Sequence, residues 1–276
     1  MQSRKFGSTG KTVPVIGQGT WQMKKSAGEA LRAGIDLGMT HIDTAEMYTG
    51  AEEIVAEAIR GRRSEIVLVS KVLPSNASYK GTIRACNASL KRLKTDYLDV
   101  YLIHWWSGGN PIAETMHAME ELVAAGKIRH IGVSNFDIDQ LKQAQKALTK
   151  ERIGCNQVMY HLSSRGIENQ LLPYCESQDI AVVGYSPFGQ GDFPEPTSKQ
   201  GRALATIAER HGKTSRQVAL NFLTRRESLF AIPKAGAVDH VKENAGGVGW
   251  KLAAEDLKRI DEVFPLPSKD APLDML

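Results

Sequence analysis

The sequence predicts an α/β protein built as a single (β/α)8 TIM barrel with its site on the C-terminal face. Two observations predict this fold. Eight short apolar runs alternate with helical patterns, and polar residues stand at the carboxyl ends of seven of those runs. The chain has 276 residues, close to the roughly 250 of such a barrel. We therefore assign residues 1–276 to one domain.

The eight predicted strands are short, rich in β-branched residues and without polar alternation. This pattern is typical of parallel strands that are buried on both faces. In chain order they cover residues 15–19, 40–43, 66–70, 98–103, 128–133, 155–159, 180–184 and 229–232.

Between these runs, apolar residues recur every three to four positions, as on an amphipathic helix. Clear examples are residues 82–93 and 112–123. Asp137 is a predicted N-cap, and Thr214 with Gln217 forms a predicted capping box before a further helix. Strands and helices therefore alternate along the chain.

An open, doubly wound sheet would show the same alternation. Its dinucleotide-binding form carries the sequence GxGxxG after the first strand. Here Gly17-Gln18-Gly19 continues as Thr20-Trp21, so that motif is absent. No linker rich in proline, glycine or serine divides the chain, and residues 188–200 form the one long irregular insertion. The closed barrel is the better interpretation.

Composition excludes several classes of protein. The chain has 35 basic and 31 acidic residues, a formal charge of +4, and its basic residues are scattered, so we expect no nucleic-acid partner. No apolar stretch reaches 18 residues, and the polar N-terminus does not resemble a secretory signal, so we expect no membrane partner. The three cysteines are widely spaced, which suits reduced thiols and a cytoplasmic location.

Four polar residues at three successive strand ends suggest carbonyl reduction. Hydride addition to a carbonyl leaves an alkoxide, so the site needs a proton donor, and Tyr48 could supply the proton. The ammonium of Lys71 would lower the pKa of that phenol, and Asp43 would keep the buried lysine charged. His104 would donate to the carbonyl oxygen and orient the substrate.

Each of these residues also has an ordinary explanation. Asp43 could cap the following helix, Lys71 could be a surface lysine, and Tyr48 or His104 could serve packing alone. A barrel aldolase that uses Lys71 as a Schiff-base nucleophile is a second alternative. A metal hydrolase that uses His41 and Asp43 is weaker, because no second histidine pair appears at other strand ends, and we expect no metal.

Taken in order, the motifs resemble those of the aldo-keto reductases. The chain is similar in particular to the bacterial methylglyoxal reductase-like members of that family. The matching segments are 19–21 (GTW), 41–48 (HIDTAEMY), 69–71 (VSK), 102–105 (LIHW), 126–135 (GKIRHIGVSN), 156–157 (NQ), 184–187 (GYSP), 232–234 (IPK) and 243–244 (EN). The resemblance covers nearly the whole chain.

The resemblance implies NADP(H) as cofactor, with NAD(H) as an alternative. It implies that Ser134, Asn135 and Gln157 bind the nicotinamide carboxamide and that Tyr185 stacks on the ring. The residues that it places along the pyrophosphate, the ribose 2′-phosphate and the adenine are Ser186, Phe188, Gly189, Gln190, Lys234, His240, Glu243 and Asn244. It also implies a substrate pocket walled by Trp21, Trp105 and Trp106, and a monomer.

Two positions depart from the family pattern. A serine commonly follows the lysine of the NADP-binding segment and an arginine lies six residues after it, whereas this chain has Ala235 and His240. A histidine lacks the planar fork and permanent charge of arginine. We therefore expect NADPH to be preferred through Lys234, with weaker discrimination against NADH. The expected substrates are small or aromatic aldehydes and ketones of the methylglyoxal type. The alternative is a barrel that binds the cofactor as a sensor and turns over slowly.

Overall fold

A computed structural model describes residues 1–267 and 272–275. An antiparallel pair of short strands, β1 (Ser3–Lys5) and β2 (Thr12–Pro14), precedes an eight-stranded parallel sheet in which neighbours in sequence are neighbours in space. The strands of that sheet are β3 (Gln18–Gly19), β4 (His41–Asp43), β5 (Val67–Val72), β6 (Leu98–Ile103), β7 (Ile128–Ser134), β8 (Ile153–Met159), β9 (Ala181–Tyr185) and β10 (Leu229–Ala231).

The helices follow the strands and pack around the sheet. They are α1 (Gly28–Asp36), α2 (Ala51–Ala58), α3 (Tyr79–Leu93), α4 (Ile112–Ala124), α5 (Ile138–Ala147), α6 (Leu171–Ser177), α7 (Lys199–His211), α8 (Ser215–Leu223), α9 (Val238–Ala245) and α10 (Ala254–Val263). The two predicted caps are confirmed. The side chains of Asp137 and Thr214 each accept from the backbone N–H of the glutamine three residues on, and that glutamine's side-chain oxygen accepts from the backbone N–H of the cap residue. None of the described helices is long and apolar enough to cross a membrane.

The sheet closes on itself between its first and last strands. The Gly17 N–H donates to the Ala231 carbonyl (2.8 Å), and the Gly19 N–H donates to the Pro233 carbonyl (3.1 Å). A parallel bridge between Gly19 and Lys234 continues the pairing toward the carboxyl ends of both segments. This closure confirms the barrel that the sequence predicts and excludes the open, doubly wound sheet. Only the last two residues of the predicted first strand form a regular strand, because residues 15–17 pair irregularly.

The strand pair β1–β2, which the sequence pattern did not predict, leads into a plug at the amino end of the barrel. Phe6 is buried there and packs edge-on against Phe230, with ring centroids 4.9 Å apart. Gly7 follows with a φ of +50°, and a Cβ on it would lie 2.2 Å from the Gly154 carbonyl oxygen. A side chain at this position would therefore push the plug away from β8. The opposite end of the barrel remains open.

Two boundaries differ from the prediction in a way that matters for the site. β5 continues through Lys71 and Val72, which pair with Leu102 and Ile103 of β6, so Lys71 lies within the strand and not after it. The irregular insertion ends at Ser198, where α7 begins with a side-chain cap, and it contains a 3-10 turn over Gly189–Gly191. Because β5 pairs with both β4 and β6, the backbone of Lys71 is held between two neighbouring strands.

Candidate active site

A cavity of about 940 Å³ lies at the carboxyl ends of the barrel strands. In a (β/α)8 barrel this face carries the βα-loops that build the site. The predicted site residues that line the cavity are Trp21, Asp43, Tyr48, His104, Trp105, Ser134, Asn135, Gln157, Tyr185, Ser186, Phe188, Gln190 and Lys234. Residues from every part of the chain therefore meet at one opening.

An ion pair between Lys71 and Asp43 forms the floor of the cavity. The Lys71 Nζ donates to Asp43 Oδ1 (2.5 Å) and to the Thr44 carbonyl (2.9 Å), and the lysine side chain is completely buried. Asp43 Oδ2 accepts from Gln157 Nε2 at 2.7 Å. Burial lowers the pKa of Lys71, but Asp43 and then Tyr48 outweigh it, so the pKa of this lysine is raised. The lysine is therefore a fixed positive charge, and Asp43 does not cap a helix.

Tyr48 stands on the loop after β4, where its N–H donates to the Ala45 carbonyl at 3.0 Å. The Lys71 Nζ lies 5.0 Å from the centroid of the Tyr48 ring. Burial raises the pKa of Tyr48, and the charge of Lys71 lowers it only in part, so the net direction is upward. Lys71 acts in the predicted direction, but burial is the larger effect in the absence of a ligand. The phenol carries its proton at neutral pH.

His104 follows β6 directly and faces Tyr48. Its N–H donates to the Val72 carbonyl at 3.0 Å, and its ring lies edge-on to Tyr48 with centroids 5.6 Å apart. Burial, and then the charge of Lys71, lower the pKa of His104 to about 3. The imidazole is therefore neutral, with one nitrogen able to donate to a substrate oxygen.

This neutral state predicts the pH dependence of the reaction. We expect kcat/KM for an aldehyde without titratable groups to show no inflection near pH 6.5, the ordinary pKa of histidine, because His104 titrates only near 3. A pH profile from 5.5 to 8 measures this. The matched control is His104→Gln, which keeps a donor that cannot titrate. A wild-type inflection near pH 6.5 that disappears in the glutamine variant would show that His104 does take up a proton in this range.

A connected set of amide and hydroxyl groups lines the next part of the cavity. The Ser134 hydroxyl and the Asn135 N–H both donate to the Gln157 carbonyl, at 2.9 and 2.8 Å. The Asn135 Nδ2 donates to the His104 carbonyl (3.1 Å), and its Oδ1 accepts from the Tyr185 hydroxyl (2.9 Å). Asn135 has a φ of +60°, a conformation that asparagine tolerates better than most residues. These bonds hold the Asn135 carboxamide and the Tyr185 ring in fixed orientations.

The loop after β9 forms the outer wall. Ser186 and Gln190 both have positive φ angles, 51° and 53°, and the Gln190 Nε2 donates to the Ser186 hydroxyl at 2.9 Å. Gly189, also at positive φ, lies between them. Across the opening, the exposed Lys234 follows β10 and contributes a positive charge to the cavity rim.

Six predicted residues do not line the cavity: Lys71, which is completely buried, Gly189, Trp106, His240, Glu243 and Asn244. Trp106 turns away from it, because its Nε1 donates to the Asn110 carbonyl (2.8 Å) and its ring packs against the hydrophobic core, so the expected pocket wall is formed by Trp105 alone at this point. His240, Glu243 and Asn244 lie on α9, outside the cavity lining. His240 is exposed, whereas Asn244 is buried.

Sequence reasoning missed several residues of the cavity. Gln22, Met47 and Met275 line it, and none of them was among the predicted site residues, although Met47 lies inside the matching segment 41–48. Met47 stands beside Tyr48 in the sequence and is 42% exposed where it lines the cavity. Met275 arrives from the C-terminal segment, where Asp274 accepts from the Ser164 hydroxyl at 2.5 Å.

The donor set fits a nicotinamide dinucleotide. The carboxamide of that cofactor needs both donors and acceptors, and Ser134, Asn135 and Gln157 offer amide and hydroxyl groups whose capacity their mutual bonds only partly use. Tyr185 presents an aromatic ring beside them, and Lys234 offers a cation for phosphate. A volume of about 940 Å³ is near the upper end of the 300–1,000 Å³ typical of ligand pockets.

Comparison with known proteins agrees with this geometry. Residues 15–264 match the model of the aldo/keto reductase family. The methylglyoxal reductase YeaE of Escherichia coli (strain K12) is 44% identical over 273 residues, with 96% of each chain covered. The glyoxal reductase of Bacillus subtilis (strain 168) is 36% identical, with 91% of this chain and 89% of that protein covered. An aldo-keto reductase from Klebsiella pneumoniae, solved in complex with NADPH, is 43% identical with a TM-score of 0.93 and full coverage of both chains.

Proposed function

We propose that this chain, which belongs to the aldo/keto reductase family, uses NADPH to reduce small or aromatic aldehydes and ketones of the methylglyoxal type to alcohols. The chain is an NAD(P)H-dependent oxidoreductase, and NADP(H) is its cofactor. The observation that carries the finer proposal is the position of Tyr48 beside the buried Lys71–Asp43 pair at the base of the cavity.

The reaction needs a hydride and a proton. The dihydronicotinamide supplies the hydride when it is bound. The Tyr48 O–H gives its proton to the oxygen of the former carbonyl, and Lys71 stabilises the phenolate that remains. Neutral His104 donates to the same oxygen and so polarises the carbonyl before transfer. Asp43 holds the Lys71 ammonium through the ion pair and acts as a positioning residue for it.

We assign the cofactor contacts as the family resemblance implies. Ser134, Asn135 and Gln157 orient the carboxamide, and Tyr185 stacks on the nicotinamide ring. The loop of Ser186, Phe188, Gly189 and Gln190 follows the pyrophosphate, and Lys234 faces the 2′-phosphate. His240, Glu243 and Asn244 lie toward the adenosine. The support for this set is that Ser134, Asn135 and Tyr185 share one hydrogen-bonded wall with Gln157, and that Ser186, Phe188, Gln190 and Lys234 also line the cavity. The three residues of α9 are assigned from the family resemblance alone.

The cavity lining supports the proposed substrate class. Trp21, Met47, Trp105 and Met275 give an apolar rim above the polar base. Among the described residues that line the cavity there is no arginine, and Lys234 is its one lysine, so the rim offers no fixed fork for a substrate carboxylate. Small neutral carbonyl compounds suit such a pocket, and selection among them will be weak.

A carbonyl panel tests the proposal. We expect the purified protein to oxidise NADPH with methylglyoxal, phenylglyoxal and an aromatic aldehyde, followed as absorbance loss at the nicotinamide band. The same panel with NADH should give kcat/KM values lower by at least about tenfold, because the contact of Lys234 with the 2′-phosphate, of about 1.4 kcal/mol, is missing. The 2-keto acid pyruvate is the matched poor substrate. Absence of turnover with every carbonyl, despite tight binding of NADPH, would overturn the proposed activity in favour of a sensor.

We propose further that the protein acts as a single-domain monomer in the cytoplasm. The described barrel has one continuous sheet, and its three cysteines are buried and free. Burial raises the pKa of each of these thiols, that of Cys86 and of Cys175 to about 12, so they stay protonated and unreactive.

A further inference from the structure

Arg216 is an exposed arginine held between two aromatic rings. It is the second residue of α8. Its guanidinium carbon lies 4.8 Å from the ring centroid of Phe188 and 4.9 Å from that of Phe193, and these two rings meet edge-on at 5.8 Å. In the part of the chain that the structure describes, no carboxylate lies within 4.0 Å of this side chain. The arginine is thus fixed in place, but its charge is not neutralised.

Arg216 lies beside the outer wall of the cavity and is not itself among the residues that line it. Phe188, on which it stacks, lines the cavity together with Lys234. The neighbouring Gln217 donates from Nε2 to the Glu243 carbonyl of α9 at 2.9 Å. Arg216 therefore lies between the loop after β9 and the helix that follows Lys234.

The contacts of Arg216 leave its hydrogen-bonding capacity free. An arginine that stacks on aromatic faces keeps its N–H donors, which lie in the guanidinium plane and match the geometry of a phosphate. No hydrogen bond from Arg216 to another described residue is formed. The other side chains at this end are Lys234, a point charge, and His240, which is not a permanent cation.

We propose that Arg216 binds the 2′-phosphate of NADPH together with Lys234 and is a main determinant of the preference for NADPH over NADH. This inference rests on the proposed function, because it assumes that the adenosine lies at this end of the cavity. Arg216 supplies from α8 the planar fork that His240 does not supply from α9. The stacking on Phe188 and Phe193 holds the guanidinium in place before the cofactor arrives, so less side-chain entropy is lost on binding.

Binding measurements on the purified protein test the proposal without turnover. We expect Arg216→Met to raise the Kd for NADPH about tenfold and to change the Kd for NADH by less than twofold, measured by isothermal titration calorimetry. Methionine keeps the apolar cover over the two phenylalanines. The matched control is Arg152→Met, the same change at an exposed arginine just before β8, at the opposite end of the barrel. Adding His240→Arg to the Arg216 variant should restore part of the affinity for NADPH.

The outcomes separate this inference from the proposed function. An equal loss of affinity for both cofactors would place Arg216 at the pyrophosphate or make it a loop clamp, and an unchanged Kd for NADPH would give it no role in binding. Either result overturns the inference while the reductase activity stands. Failure of the wild-type protein to bind NADPH would instead overturn the proposed function.

Discussion

Replacing Tyr48 by phenylalanine is expected to lower kcat for carbonyl reduction by about 10³-fold, within the range seen when a general acid is removed. The variant keeps the ring that faces His104 and loses only the oxygen that carries the proton. No other described residue of the cavity is placed to replace it. Both carboxylate oxygens of Asp43 already accept hydrogen bonds, from Lys71 and Gln157. The pKa of His104 is too low for the imidazole to be in its protonated, cationic form at neutral pH. The Kd for NADPH should stay within twofold, because Tyr48 belongs to the substrate side of the site.

The control for this variant is Tyr101→Phe. Tyr101 is completely buried on β6, and its hydroxyl has no hydrogen-bond partner among the described residues, so removing that oxygen breaks no bond. Activity and the free energy of unfolding should therefore be close to those of the wild type. A Tyr48→Phe variant that retained more than a tenth of the wild-type kcat would mean that the proton comes from elsewhere, such as water.

The pH dependence of reduction gives the same assignment a second test. Reduction needs the protonated phenol, and burial raises the pKa of Tyr48 above its usual value of about 10. The proton is therefore present throughout the neutral range, and kcat should fall only as the pH rises through that raised pKa. The expected plateau extends beyond pH 9. Loss of activity between pH 7 and 8 would indicate that Lys71 lowers the pKa of the phenol more than burial raises it.

The barrel and the grouping of the candidate catalytic residues could be predicted from the sequence because both depend on local patterns. Buried strands leave uninterrupted apolar runs, and the residues at their carboxyl ends meet on one face whatever the helices do. Asp43, Lys71 and His104 could therefore be placed together from position alone. The two strands of the first hairpin are three residues each, too short for alternation to be recognised, and they were missed.

What the sequence could not give are the orientations set by contacts between distant segments. Trp105 and Trp106 are adjacent and of one type, yet only the bond from Trp106 to the Asn110 carbonyl turns the second indole out of the cavity. Arg216 meets Phe193 across 23 residues of chain with no periodic pattern linking the two positions. Met275 reaches the cavity from the far end of the sequence. Such contacts depend on how loops fold over a finished barrel.

The second large effect concerns Lys71 and the stability of the fold. We expect Lys71→Met to lower the free energy of unfolding by about 3–5 kcal/mol, the range for breaking a buried ion pair by removing one partner. Asp43 would be left without its cation at 2% exposure, with Gln157 as the one side-chain donor that the wild-type structure gives it besides the lysine. For a chain of this size, Tm should fall by roughly 10 °C in thermal unfolding followed by circular dichroism. Lys94→Met is the matched control. Its ion pair with Glu57 is largely exposed, so a change below about 1 kcal/mol is expected.

A double variant separates the structural from the catalytic role of this pair. Adding Asp43→Asn to Lys71→Met removes the uncompensated charge and leaves an amide that can still bond with Gln157, so we expect much of the lost stability to return. Activity should not return, because Tyr48 would then have no cation beside it to stabilise the phenolate that proton transfer leaves behind. Recovery of kcat together with Tm would mean that the pair serves only the fold. Recovery of Tm alone is the result that the geometry requires, since Lys71 is the one buried cation in contact with the proton donor among the residues described.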